Sequence, residues 1–395
     1  MKKLLVVLFT MTVIVPVIGF DLSSPIHAKS DISKDGTLVE ISKKAYIYVL
    51  PLYTMYRTRW SYGDYINKFY HSRRLADPTS RAVSYPNNDT LYSTAMLDLK
   101  PEPIVLHVPD TDGRYYSLQF LDFYTNNFAS IGRRTTGTRE GDYLVIGPNY
   151  QGEAPGGLPI IKSSTNTVLL MNRFLIDGPE DLSDVYELQN QLSITPLSSW
   201  MDREPGTTPV RQTKTLVRPD PEDPFNVFTV ANIALTENPP PKSENPLIQE
   251  LQKIGVGPGQ IFDPNRFSDK ERGEILLGIE QAKEELKVFF RQQPRSKTGW
   301  AIPDPNLGRY GTKYTLRAFV AAFAPGPLTR EEAMYFTINI DEDRKRLHGR
   351  NRYVFRFIKD ELPPVDAFWS LTMYRVEKDW RGFLVWNPID RYSVG

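Results

Sequence analysis

Two polar segments of the sequence contain the residue types that acid–base chemistry requires. In the first, Asn87 and Asn88 precede Asp89 in a turn that leads into a strand. Tyr92 lies at the beginning of that strand, and Asp122 follows a second strand. A carboxyl group with a raised pKa can exchange a proton with a phenol or with another carboxyl group. We therefore predict Asp89, Tyr92 and Asp122 as catalytic residues. The alternative is an Asx turn whose polar side chains bind their own backbone.

Other polar and aromatic side chains could bind a ligand rather than catalyse a reaction. Aromatic residues make up 12% of the chain, and several lie beside polar residues that could orient a small molecule or a glycan. Aromatic residues in strands belong more often to a hydrophobic core. The predicted ligand-binding residues are Asn87, Asn88, Tyr124, Trp369 and Arg391.

The sequence excludes some kinds of site and disfavours others. It contains no cysteine, so thiolate nucleophiles, cysteine-bound zinc and iron–sulfur clusters are excluded. His71, His107 and His348 lie far apart, without the spacing of metal ligands. No serine-nucleophile elbow or Walker-type phosphate loop is present. We therefore predict neither a metal nor a cofactor.

The charge balance disfavours nucleic acid as a partner. Lys and Arg number 48 and Asp and Glu 47, which gives a formal charge of +1. A nearly neutral chain offers no general attraction to polyanions or to anionic membrane surfaces. Small molecules and glycans are not disfavoured by this argument.

The first residues are typical of a secretory signal peptide. Lys2 and Lys3 precede an apolar run over residues 4–15, and Ala28 has the small side chain that a cleavage site requires. We predict a signal peptide over residues 1–28 and a secreted or cell-envelope location, with no stable membrane insertion after cleavage. The alternative is an uncleaved anchor helix, because the apolar stretch is near the lower length limit for spanning a bilayer.

Hydrophobic periodicity predicts an α+β fold that is mainly β. A helical segment over residues 36–80 is followed by an antiparallel β-sandwich over 81–176, with a hairpin turn at residues 110–113. A helical region and connector cover residues 177–299, where Ser268 and Glu271 form a capping box. A second β domain is expected over residues 300–395.

Several longer motifs resemble a bacterial cell-envelope family that joins two domains of unknown function, the twelve-fifty-four N-terminal domain and the twelve-fourteen C-terminal domain. The resemblance is carried by residues 86–93 (PNNDTLYS), 97–99, 114–116, 362–374 and 387–392 (NPIDRY). It implies an immunoglobulin-like sandwich, a helical middle region and a jelly-roll-like C-terminal domain. It implies no activity and no catalytic residues.

Family members usually continue for several strands beyond the motif at residues 387–392. We therefore expect the C-terminal domain to be incomplete or to be covered by a partner chain, such as a second copy in a homo-oligomer. Three functions remain open. The first is an envelope protein that binds a small molecule or glycan through its β domains. The second is a metal-independent extracellular hydrolase or lyase, and the third is a structural or assembly protein.

Overall fold

The structure is a computed structural model. It describes residues 37–81, 84–202, 217–358, 362–377 and 381–395, together with the backbone of residues 2–3. The predicted signal peptide therefore lies outside the described residues, except for that dipeptide. Within the described part of the chain, no helix is both long enough and apolar enough to cross a membrane.

Seven α-helices lie within the described residues. The first is long because Thr37 caps its amino end through a hydrogen bond from the Glu40 N–H, and it continues through Pro51. The helices are α1 (Leu38–Ser61), α2 (Leu182–Gln191), α3 (Leu197–Asp202), α4 (Asn226–Glu237), α5 (Asn245–Gln252), α6 (Asp269–Arg291) and α7 (Tyr314–Phe323).

Nine strands form two sheets in the first half of the chain. They are β1 (Tyr70–His71), β2 (Thr90–Asp98), β3 (Ile104–Val108), β4 (Tyr116–Leu121), β5 (Asn127–Gly132), β6 (Gly141–Ile146), β7 (Ile160–Lys162), β8 (Thr167–Leu175) and β9 (Ser193–Pro196). One sheet has the strand order β1-β2-β8-β4-β5, and the other has the order β9-β3-β6-β7.

These two sheets pack face to face as the predicted sandwich. Alternate residues of β2 and β3 point inward, and Leu91, Ala95, Ile104 and Leu106 are part of one buried core. The predicted hairpin at residues 110–113 is wrong, because the strands that it connects belong to different sheets. A short turn connects the two layers of a sandwich as readily as it connects neighbouring strands, so the turn residues could not distinguish the two arrangements.

A layer of helices covers the outer face of the five-stranded sheet. Met96 and Met171 point from the sheet into a second core that includes much of α1, α4, α6 and α7. Helices α1 and α6 approach closely at Gly278, where an added Cβ would overlap Ser42 Oγ and the Val39 carbonyl oxygen. Helix α6 begins with the predicted capping box between Ser268 and Glu271.

The C-terminal region is much less regular than the rest of the fold. Its strands are two residues long: β10 (Tyr353–Val354), β11 (Leu371–Thr372), β12 (Arg375–Val376), β13 (Gly382–Phe383) and β14 (Ser393–Val394). Strand β11 pairs with β14, β12 pairs with β13, and β10 pairs in parallel with residues 2–3. Trp386 and Ile389 are 72% and 75% exposed. Among the described residues of this region, the strands pair in two-stranded sheets.

The α+β class is confirmed. About 31% of the chain is helical and about 20% is in strands, so helix exceeds strand. The extra helix comes from the layer that covers the sandwich, where apolar residues at helical spacing pack against the sheet and against one another.

Candidate functional site

The outer face of the five-stranded sheet changes from apolar to polar along its strands. In the register of the sheet, Met96 lies opposite Leu169, whereas Tyr92 lies opposite Arg173, which in turn lies opposite Ser117. The apolar end packs under the helices. The polar end instead contacts the chain that follows α7, through hydrogen bonds from Arg173 and Gln119 to the carbonyl groups of Gly326 and Pro327.

Arg173 lies in this polar row and is only 1% exposed. Its Nε donates to the Tyr92 hydroxyl at 3.2 Å, its Nη1 to Gln119 Oε1 at 3.0 Å and its Nη2 to the Gly326 carbonyl at 3.4 Å. All three acceptors are neutral. The guanidinium group also lies 5.1 Å from the centre of the Tyr92 ring. Arg173 therefore ties the sheet to the chain that follows α7, and the Tyr92 oxygen serves as an acceptor.

Asp89 directly precedes β2, at the end of the sheet that carries Tyr92 and Arg173. Its Oδ2 accepts a hydrogen bond from Ser370 Oγ at 2.6 Å, and the Ser393 side chain lies near enough to the carboxylate to lower its pKa. Burial raises the pKa of Asp89, and the two serines oppose this shift. Ser370 directly precedes β11 and Ser393 is the first residue of β14, and the pairing of these two strands brings two C-terminal segments to one carboxylate.

Tyr374 strengthens this junction between the N-terminal sheet and the C-terminal segments. Its hydroxyl donates to the Pro86 carbonyl at 3.0 Å, and its ring packs edge-on against Tyr85 with 5.3 Å between ring centres. Burial raises the pKa of Tyr374, and the charge of Asp89 raises it further. We name the group formed by Asp89, Ser370, Tyr374 and Ser393 the Asp89 junction.

The predicted ligand-binding residues near Asp89 bind the protein itself in this structure. Asn87 Nδ2 donates to Thr90 Oγ1 at 2.9 Å, and Asn87 Oδ1 accepts from the Asp89 N–H, as in an Asx turn. Asn88 Nδ2 donates to the Ala76 carbonyl at 2.6 Å. The two amides therefore hold the loop that presents Asp89.

The two predicted C-terminal residues differ in their surroundings. Trp369 is partly buried, packs edge-on against Phe357 at 4.8 Å between ring centres, and directly precedes Ser370 of the junction. Arg391 is exposed, and its Nε donates to the Ser393 carbonyl at 3.3 Å. Both residues thus lie next to the serines of the junction.

Asp122 and Tyr124 lie at the opposite end of the five-stranded sheet from the Asp89 junction. Asp122 follows Leu121, which pairs with Leu169, whereas Tyr92 pairs with Arg173. Four residues along β8 separate these rows, roughly 13 Å at about 3.3 Å per residue. Asp122 therefore does not form a carboxylate pair with Asp89 or an acid–base pair with Tyr92.

Asp122 is almost fully buried and its carboxylate is used locally. It accepts from the Tyr124 N–H and the Asn126 N–H at 2.9 Å, and from Ser164 Oγ at 3.2 Å. Burial raises the pKa of Asp122, and the hydrogen bonds from Asn126 oppose this. Asp122 thus forms a turn in which its side chain binds the nearby backbone, which is the alternative to a catalytic role.

Three participants in these contacts were not predicted from the sequence. Ser370 and Ser393 are short polar residues without a local pattern, and each meets Asp89 only through the fold. Arg173 carried a usable signal, because it is the only charged residue in the nine-residue strand β8, TVLLMNRFL. A charged side chain within such an apolar strand is rare unless it is paired or hydrogen-bonded.

The described residues contain no group of three or more His, Asp or Glu side chains placed to hold a metal ion. The Asp89 junction itself offers one carboxylate, two serine hydroxyls and a phenol. Such a set can donate and accept hydrogen bonds at close quarters, which suits a ligand with hydroxyl groups.

Comparison with known proteins places these features in two domains of unknown function. Residues 66–196 match the family described as protein of unknown function DUF1254, and residues 332–395 match the family described as protein of unknown function DUF1214. The predicted resemblance is thus confirmed. Asp89 lies in the first matched region, and Ser370, Tyr374 and Ser393 lie in the second, so the junction is formed by both.

One solved structure shares the fold. The crystal structure of the VPA0106 protein from Vibrio parahaemolyticus is similar over 90% of this chain and 83% of its own, with a TM-score of 0.66 and 23% sequence identity. A putative uncharacterized protein from Burkholderia cenocepacia aligns over 44% of this chain and 50% of its own, with a TM-score of 0.26 and 12% identity, and supports no argument. None of the curated proteins matches this chain.

Proposed function

We propose that the chain is an exported, envelope-associated protein that binds a small molecule or glycan at the Asp89 junction. One observation carries the proposal. Asp89 and Ser370 are separated by 281 residues and belong to the two different matched regions, yet their side chains meet at 2.6 Å. Contacts that only stabilise a sandwich need no half-buried carboxylate, because burying a charge costs free energy.

The chemistry of the junction favours a neutral, hydroxyl-bearing ligand. Asp89 can accept a hydrogen bond from a ligand hydroxyl in place of Ser370, and the released serine can then donate to a ligand oxygen. Exchange of this kind conserves the number of hydrogen bonds, so the carboxylate is not left unpaired. The export and envelope location rest on the basic and apolar pattern of residues 1–28.

The hydrolase alternative has weaker support. The structure separates Asp122 from Asp89, and the Tyr92 hydroxyl accepts from Arg173 instead of bonding to a carboxylate. Asp89 alone, with its raised pKa, would have to act as both acid and base.

A thermal-shift screen of the protein from residue 29 onward tests the binding function. Sugars, peptidoglycan fragments, acyl esters and divalent ions are the probes. We expect a sugar or peptidoglycan fragment to raise the melting temperature, because a ligand at a hundred times its Kd stabilises by about 2.7 kcal/mol. Asp89→Asn should abolish the shift, since the amide offers one acceptor oxygen and no charge.

The matched control is Asp184→Asn, which changes an exposed carboxylate on α2. This variant should keep the full shift. A shift that persists in Asp89→Asn would mean that the ligand binds outside the Asp89 junction. If none of the probes changes the melting temperature, a structural or assembly role is favoured. Turnover of an ester that depends on Asp89 would favour the hydrolase.

A further inference from the structure

Arg317 is a second buried arginine, on α7, and it lacks partners for part of its side chain. It is 2% exposed, and within the described residues its Nε and Nη2 atoms are buried without a hydrogen-bond partner. No carboxylate in the described part of the chain forms an ion pair with it. A buried donor without a hydrogen-bond partner costs free energy, and the cost is larger when the donor is charged. An acceptor that binds these two atoms would therefore gain free energy.

The two free atoms define the shape of that acceptor. Nε–H and one Nη2–H lie along the same edge of the planar guanidinium group and point in nearly parallel directions. Such an edge matches two neighbouring oxygen atoms. The site is thus shaped for a pair of oxygens on one ligand.

Three tyrosine rings surround the guanidinium group. Its central carbon lies 5.3 Å from the centre of the Tyr48 ring, 5.4 Å from Tyr124 and 5.2 Å from Tyr314. We name these three residues with Arg317 the tyrosine cage. Aromatic rings can pack against the C–H face of a sugar while polar groups bind its hydroxyls.

The neighbouring charges decide whether the ligand is charged. Arg317 lowers the pKa of Asp122, and Glu244 accepts a hydrogen bond from the Tyr48 hydroxyl at 2.5 Å. Both carboxylates are buried. The Asp122 carboxylate is close enough to Arg317 for the two charges to interact, so it would repel a further anion bound there, whereas it would not repel a neutral pair of oxygens.

Tyr314 is the only wall of the cage that is not fully buried. It is the first residue of α7 and is partly exposed, whereas Tyr48 and Tyr124 are almost completely covered. The Tyr314 ring is therefore the side of the cage nearest to solvent.

We propose that the tyrosine cage is a binding site for a neutral vicinal diol, as found on a sugar ring, which enters past Tyr314. The diol oxygens accept from Nε and Nη2 of Arg317. The site is distinct from the Asp89 junction, because Asp122 and Tyr124 lie at the other end of the sheet. It does not depend on the junction being a binding site.

Hydrogen–deuterium exchange of the chain from residue 29 onward, with and without glucose or galactose, tests the proposal. Sugar should slow exchange in the segments that contain Tyr48, Tyr124 and Tyr314. Sodium gluconate, which adds a carboxylate to a similar polyol, should bind at least tenfold more weakly. Arg317→Lys should weaken sugar binding at least tenfold, because lysine keeps the charge but lacks the paired donors.

Asp184→Asn, which changes an exposed carboxylate on α2 outside both sites, serves as the control and should leave protection of the cage unchanged. Exchange is read in the segments of the cage itself, so failure of this site can be told from failure of the Asp89 junction. Protection by gluconate but not by glucose would overturn the neutral ligand. Absence of protection of the cage by any of these sugars in the unaltered chain would overturn the site itself, whatever the stability of Arg317→Lys. Equal binding by Arg317→Lys would do the same.

Discussion

Arg173→Met is expected to lower the free energy of unfolding by about 3 kcal/mol. The substitution leaves the Tyr92 hydroxyl, the Gln119 amide oxygen and the Gly326 carbonyl without their donor in a buried place. Hydrogen bonds to a charged group each contribute about 1.5–3 kcal/mol, and removal of the buried charge recovers only part of the total. Urea denaturation followed by circular dichroism measures the loss.

Arg133→Met is the matched control, because Arg133 is exposed and directly follows β5. Its free energy of unfolding should change by no more than about 0.5 kcal/mol. If Arg173→Met changed the free energy of unfolding as little as the control does, the hydrogen bonds of Arg173 would not stabilise the contact between the sheet and the chain after α7.

Gly278→Ala is expected to destabilise the protein by about 2 kcal/mol, although alanine favours helices more than glycine does. The added methyl group would overlap Ser42 Oγ and the Val39 carbonyl oxygen of α1, so α1 and α6 would have to separate. Overpacking of this kind costs about 1–3 kcal/mol. The cost is not relieved easily here, because a backbone carbonyl cannot rotate away as a side chain can. Chemical denaturation measures the change.

Gly273→Ala in the same helix provides the comparison. Nothing lies within 4 Å of the position of its added Cβ. This variant should gain up to about 1 kcal/mol from helix propensity alone. The two alanine substitutions should therefore have opposite signs, and a gain at Gly278 would contradict the close packing of α1 on α6.

Local patterns in the sequence predicted the elements better than their assembly. The capping box at Ser268 and Glu271 predicted the beginning of α6, because its two hydrogen bonds form within one turn. The alternation of residues 104–108 predicted a strand, but not that it would pair with β6 and β9. Pairing depends on contacts between distant residues, which periodicity does not encode.

The candidate site was predicted only in part for the same reason. Asp89 was found because polar turn residues surround it in the sequence. Asp122 has a similar sequence environment, yet it serves its own turn at the other end of the sheet. Ser370 joins Asp89 only in the folded chain, so its role could not be read from neighbouring residues.

A double-mutant cycle between Asp89 and Ser370 tests most directly whether the two matched regions form one site. Asp89→Ala, Ser370→Ala and the double variant are compared by urea denaturation of the chain from residue 29 onward. Their hydrogen bond of 2.6 Å to a partly buried carboxylate predicts a coupling free energy of about 1–2 kcal/mol. Effects that add to within about 0.3–0.5 kcal/mol would show that the side chains do not interact and would contradict the Asp89 junction.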